Sequence, residues 1–304
     1  MRTFSIVIAT YQRPAVLAQT LDRLTPERQH VARDLYEIIV TDDSRDDATE
    51  TMIREQYPHV RYVRGGRRGP ATNRNCGAAA ATGEWIAFID DDCQPVDGWL
   101  AALARADAGA HVDVIEGAIL APDKVDSPFR HFGENVTGDL FWSGNLAVRR
   151  DVFNRLGRFD EDFLEAAGDD LEFSDRIRRS GVPTTFCRDA AVVHPTHVVS
   201  WRYIFWHAFT IRWHLLYVLK AGLAPSVDTP AWKAASFLVV NRSLNLLRGT
   251  WHVLRSPDMS RRRTQWFHTA MSWVMFPVIL PYMMFWDLRF RRTMRDRMLH
   301  ARRT

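Results

Sequence analysis

A chain of 304 residues, 46% of them hydrophobic and 25% charged, can bury most of its unfolded surface and is too apolar for wholesale disorder. Three scattered cysteines, Cys76, Cys93 and Cys187, exclude a disulfide framework or zinc-finger spacing and point to a reducing compartment. The net charge of +4 hides a split: residues beyond 200 hold 17 Lys and Arg against 4 Asp and Glu, or +13, which leaves −9 for the first 200. Such an asymmetry suggests a basic segment that meets an anionic partner, although a solvated arginine-rich face would look the same.

In chain order, TFSIVIA (3–9) reads as a buried strand. It is too short for a signal-peptide core, so a cytosolic location is expected. Pro14 opens a helix to about Leu24. YEIIVT (36–41) is a second strand and ends at Asp42-Asp43-Ser44. A helix from about Asp47 to Gln56, a strand at Val60–Val63 and a glycine-rich loop at 65–70 follow. An alanine-rich helix over 71–81 leads to the strand EWIAFI (84–89), which ends at Asp90-Asp91-Asp92. Residues 113–120, 140–148 and 184–194 read as strands, and 150–156 and 170–179 as helices. Alternating strands and helices predict an α/β fold with a mostly parallel sheet. Both acidic clusters fall just after strands, where open α/β sheets bind ligands.

The last third loses strand character. TAMSWVMFPVILPYMMFW (269–286) is largely apolar and close to the lower length limit for a membrane span. Pro277 and Pro281 interrupt it, and an arginine-rich tail follows. Tryptophans recur from Trp201 to Trp286, as at a membrane interface. The division expected is a catalytic domain over 1–200 and a basic, aromatic helical module over 201–304. That module would lie on or dip into the cytoplasmic leaflet; a soluble helical cap or a dimer interface is the alternative.

Asp90-Asp91-Asp92 places three carboxylates side by side, and their repulsion calls for a cation. Hard oxygen ligands suit Mg²⁺ or Mn²⁺, while an acidic surface turn would read the same way in isolation. Asp169-Asp170-Leu171-Glu172 opens a helix, where the dipole alone favours negative charge.

Five segments in this order resemble the family-2 glycosyltransferases: SIVIATYQRP (5–14), EIIVTDDSRDDAT (37–49), GPATNRNCGAAAATGEWIAFIDDDCQP (69–95), SGNLAVRRDVFNRLGRFDEDF (143–163), and GDDLEFSDRIRRSG (168–181) leading to AVVH (191–194). The resemblance implies a GT-A fold and an inverting, non-processive, metal-dependent transfer from a nucleotide sugar, UDP- or dTDP-linked, to a hydroxyl on a glycan or lipid-linked acceptor. It implies that Thr10, Tyr11 and Arg13 cradle the nucleotide, that Asp43 accepts a hydrogen bond from the base, and that Arg74 faces the nucleotide or pyrophosphate. Asp92 would ligate the metal, with Asp90 and Asp91 holding the ribose or metal-bound water. Asp42 would be structural. Asp170 would be the general base, with Asp169 standing where the family has Glu. His194 would complete the metal shell, and nearby His197 offers the same donor. No QxxRW string occurs, so transfer of one or a few sugars is expected. No nucleic-acid partner is implied.

Two other readings were open. A sugar-phosphate nucleotidyltransferase would need a glycine-rich phosphate loop, and residues 10–14 contain no glycine. A non-catalytic membrane-binding module would leave both acidic clusters unexplained.

Overall fold

The computed structural model describes residues 4–108, 111–255 and 259–301. The chain divides into two compact units, one of residues 1–123 and 132–196, the other of 124–131 and 197–304.

The first unit is built on an eight-stranded sheet. Its strands are β1 (Phe4–Thr10), β2 (Tyr36–Asp42), β3 (Arg61–Arg64), β4 (Trp85–Asp90), β5 (Gln94–Pro95) and β6 (Val114–Leu120). A short strand of the second unit, β7 (Arg130–His131), precedes β8 (Asn145–Arg149) and β9 (Thr184–Val193). The strand order is β3-β2-β1-β4-β8-β6-β9-β5. β3, β2, β1 and β4 run parallel, β6 runs parallel to β9, and β8 is antiparallel to both its neighbours. Two antiparallel steps through β8 restore the direction, so β1, β2, β4 and β9 all end on one edge.

Both faces of the sheet are buried, which is why the strands read as continuous apolar runs. Phe4, Ile6, Ile8, Trp85, Ala87 and Ile89 face one core, packed by α1 (Pro14–Leu21), α2 (Pro26–Gln29), α3 (Ala48–Gln56) and, after α4, α5 (Trp99–Ala108). Val7, Ile86 and Phe88 face the other, covered by α4 (Pro70–Ala80), α6 (Arg150–Arg155) and α7 (Asp169–Ser180). In that second core Phe88, Phe153, Phe159 and Phe173 make a ring cluster with centroids 4.8–5.6 Å apart. The cluster fixes the start of α7 against β4.

One expected strand differs, and one helix was not expected. The strand expected over 140–148 begins only at Asn145. Upstream of it, the backbone N–H groups of Asp139, Leu140 and Phe141 donate to the buried Glu116 carboxylate at 2.6, 2.9 and 2.6 Å, so they are withdrawn from any ladder. α5 carried no sequence expectation, yet it buries Trp99, Leu100 and Leu103.

The second unit pairs β7 with β10 (His197–Val198) antiparallel. It then forms α8 (Trp201–His207), α9 (Ile211–Lys220), α10 (Ala231–Arg255) and α11 (Met259–Ala301). Leu215, Leu238, Met275, Ile279 and Met283 form its core. Pro277 and Pro281 lie inside α11. The buried Asp287 accepts from Arg291 Nε at 2.7 Å, and Arg291 Nη1 donates to the Pro225 carbonyl at 2.8 Å. By length and composition, Thr264–His300 could cross a membrane.

Candidate active site

The common strand edge carries a cavity of about 800 Å³, a volume suited to a cofactor-sized ligand. Thr10, Tyr11, Arg13, Asp43, Arg74, Asp90, Asp91, Asp92 and His194 all line it. Each follows from the topology: Thr10 ends β1, Asp43 follows β2, Asp90 ends β4, and His194 follows β9. β8 is antiparallel, so its amino end brings Gly144 to the same edge; a Cβ there would stand 3.1 Å from Asp90 Oδ2. Asp170 is the one expected site residue outside this lining. His197 belongs to the second unit.

The acidic triplet is wired from several sides. Asp91 is fully buried; its Oδ2 accepts from Thr10 Oγ1 at 2.6 Å and its Oδ1 pairs with Arg13. Burial pushes the Asp91 carboxyl up to about 7, with Arg13 and Thr10 opposing. Asp91 therefore serves to orient the loop after β1. Arg13 Nη1 also reaches Asp92 Oδ2 at 3.1 Å. Cys93 lies in the core behind, and burial holds its thiol neutral.

Asp42 is the structural neighbour expected: Ser44 N–H donates to its Oδ1 at 2.8 Å. Asp43 accepts from the backbone N–H of Arg67 at 2.9 Å and of Gly69 at 3.2 Å. Burial raises its pKa and those two bonds lower it. The loop they hold requires glycine twice. A Cβ at Gly65 would stand 2.1 Å from Asp43 Oδ1, and Gly69 has φ +98° with the Leu164 carbonyl 2.3 Å from a Cβ.

Arg74 joins the two acidic groups. It is buried, with Nη2 2.9 Å from Asp90 Oδ1 and Nη1 3.0 Å from Asp169 Oδ2. Phe159 lies under the guanidinium, 5.7 Å from its centroid. The Asp90 end of β4 is thus tied to the first turn of α7, where the backbone N–H of Ser143 donates to Asp170 Oδ1 at 3.2 Å. Burial raises both Asp169 and Asp170 above the ordinary carboxylate range; Arg74 opposes this in each. Glu172 turns away and pairs with Arg176.

The donor set fits a divalent cation. Asp90 and Asp92 carboxylate oxygens lie within 4.8 Å of one another. His194 Nε2 stands 3.8 Å from Asp92 Oδ1, a separation that one ion can bridge. His194 Nδ1 lies 3.0 Å from the Pro195 carbonyl. A carbonyl only accepts, so in the neutral ring Nδ1 carries the proton and Nε2 the lone pair facing Asp92.

Four residues were not anticipated. Glu116 fixes the 135–141 loop; a lone carboxylate inside the buried run VIEGAIL was its signal. Asn73 donates to the Thr10 and Thr41 carbonyls at 3.1 and 3.0 Å, clamping the ends of β1 and β2. Arg45 and Arg67 add positive charge to the cavity wall.

Residues 5–161 match Glycosyl transferase family 2. The chain belongs to that family. Asp170 and His194 lie beyond the matched region. Validoxylamine A glucosyltransferase of Streptomyces hygroscopicus subsp. jinggangensis is 28% identical over 235 residues, 64% of this chain and 55% of the relative. The chain thus spans about half the length of that curated relative. Two solved structures share the fold. One is a mannosyltransferase of Pyrobaculum calidifontis in complex with GDP-Man and Mn²⁺, at 20% identity and TM-score 0.58 over 90% of this chain and 86% of that one. The other is S. aureus TarS 1–349 in complex with UDP, at 18% identity and TM-score 0.54 over 98% and 92%. The mixed, mostly parallel sheet flanked by helices is the GT-A fold of this family.

Proposed function

We propose that this family-2 protein transfers a sugar, with inversion, from a UDP- or dTDP-linked donor to a hydroxyl of a glycan or lipid-linked acceptor, one or a few residues at a time. The observation that carries the proposal is the convergence of Arg13, Asp43, Arg74, Asp90, Asp92 and His194 on one cavity. Asp43 and the loop after β1 receive the nucleoside. Asp92 and His194 would hold Mn²⁺ or Mg²⁺, and Asp90 would face the ribose or the water of the ion. The cation supplies charge neutralisation at the departing diphosphate. Relatives crystallised with UDP, or with GDP-Man and Mn²⁺, support a nucleotide and metal in such a cavity.

Asp170 takes the proton of the acceptor hydroxyl as its oxygen attacks the anomeric carbon. Burial keeps its basicity above that of an exposed carboxylate, which suits a base working near neutral pH. The Ser143 N–H fixes one carboxylate oxygen, so the other is oriented for the acceptor. The aromatic, basic second unit holds the enzyme at the cytoplasmic face of a membrane.

Asp92→Ala should abolish Mn²⁺-dependent binding of nucleoside diphosphate in calorimetry, at unchanged Tm. Binding equal to that of the parent protein in Mn²⁺ would remove Asp92 from the metal site.

A further inference from the structure

α10, which the sequence marks only by two of the recurring tryptophans, has two apolar faces. Ala234, Leu238, Leu246 and Val253 are buried in the second unit. Val240, Leu244, Leu247, Trp251 and Leu254 are exposed, at 55%, 42%, 55%, 57% and 47%. At about 100° per residue the first set spans about 120° of the helix and the second about 80° on the opposite side, with the exposed Trp232 and Val239 lying between the two. The outward stripe is therefore not spillover from the core.

One edge of that stripe carries positive charge. Residues 231–255 hold Lys233, Arg242, Arg248 and Arg255 and no acidic residue. Arg248 and Arg255 border one edge of the exposed stripe, and the Arg255 guanidinium lies 4.0 Å from the Trp251 ring centroid. A long side chain packed over tryptophan beside an apolar stripe is the arrangement by which arginine reaches the headgroup layer while the stripe enters the acyl boundary.

We infer that the outward face of α10 docks flat on an anionic phospholipid surface, as the main membrane contact of the second unit. Charge complementarity selects this occupant over a second copy of the chain. Symmetric pairing of this face would bring Arg248 and Arg255 against further cations with no carboxylate on the helix to balance them. An anionic leaflet neutralises all of them at once. Lying in the interface also suits a helix with one inward and one outward stripe, whereas a span would have to give up the packing of Leu238 and Leu246. The inference rests on the membrane reading above and assigns it to α10 rather than to the apolar stretch of α11.

The experiment is co-flotation of the full-length protein with phosphatidylglycerol-containing vesicles and with phosphatidylcholine vesicles. Three proteins are compared: the parent, Leu247→Glu/Trp251→Glu, and an α11 control, Val274→Glu/Phe285→Glu. All four positions are exposed, so circular dichroism and nucleotide binding should match the parent. The expected result is parent binding to anionic vesicles only, reduced about tenfold or more in the α10 variant and much less in the α11 control. Parent-like binding by the α10 variant, with loss in the α11 control, would overturn the assignment to α10 and leave membrane binding standing. Failure of the parent to bind either vesicle would overturn both. A parent dimer in light scattering that the α10 variant converts to monomer, with vesicle binding unaltered, would assign the stripe to self-association and overturn the inference.

Discussion

Asp170→Asn should lower kcat by about 10²–10⁴-fold while nucleotide affinity stays near that of the parent. The amide keeps the shape and the Ser143 contact but cannot accept the acceptor proton. The pH profile sharpens the expectation. Burial, reinforced by Asp90 and opposed by Arg74, raises the Asp170 pKa, and a base works only when deprotonated. The acid limb of kcat should therefore lie above the range of an exposed carboxylate, rising with pH to a plateau. The stability linkage has the matching sign. A carboxyl raised in the folded state contributes stability that is present below its unfolded pKa and lost as pH rises through its folded pKa. Asp170→Asn removes that penalty, so its Tm at neutral pH, without ligands, should equal or exceed the parent's. A variant that loses turnover and Tm together would point to a structural role for Asp170; full turnover would remove it as the base.

Arg74→Gln should have the largest effect on stability, about 3–5 kcal/mol, because it leaves the buried Asp169 and the partly exposed Asp90 without their cation. For a unit of this size that corresponds to a Tm fall on the order of 10 °C. Asp90 and Asp169 contact the guanidinium directly, and Asp170 adds to the negative field around it. Because Arg74 holds down the pKa of Asp169 and Asp170, its loss lets both rise further. The deficit should therefore shrink as pH falls and the pair takes up protons. Thermal melts of parent and variant across pH measure this, and a deficit that does not change with pH would rule out uncompensated carboxylate charge as its cause. The resemblance assigned Arg74 to the nucleotide. In the structure it lines the cavity with both terminal nitrogens already engaged by carboxylates, so it also couples the Asp90 end of β4 to the first turn of α7.

The parts of the fold legible in the sequence were those set by local chemistry. β1, β2 and β4 are β-branched or aromatic runs that must be buried on both faces, and the acidic clusters closing β2 and β4 fall at their ends for the same reason. The reversal of β8 could not be read that way, since strand direction depends on long-range pairing. Yet that reversal delivers Ser143 and Gly144 to the catalytic edge. The loop before β8 misled because Leu140, Phe141 and Trp142 look like strand. The buried Glu116 captures the backbone donors of Asp139, Leu140 and Phe141, an interaction between residues more than twenty positions apart. The candidate site residues came from the family resemblance, and the structure brings all of them except Asp170 to one cavity. Their wiring, Asp91 to Thr10 and Arg74 to Asp169, required the three-dimensional structure because each partner lies on a different element. The exposed stripe of α10 was hidden in a sequence whose mean hydropathy is unremarkable: only packing distinguishes an inward leucine from an outward one.

The central claim is a metal-dependent transfer from a nucleotide sugar. The most direct measurement is release of nucleoside diphosphate from a panel of UDP-, dTDP- and GDP-sugars, with Mn²⁺ or Mg²⁺ and again with excess chelator. The account predicts release from a UDP- or dTDP-sugar with either cation, and none once the cation is removed. Release that persists in chelator, or no release from any donor with either cation, would contradict it.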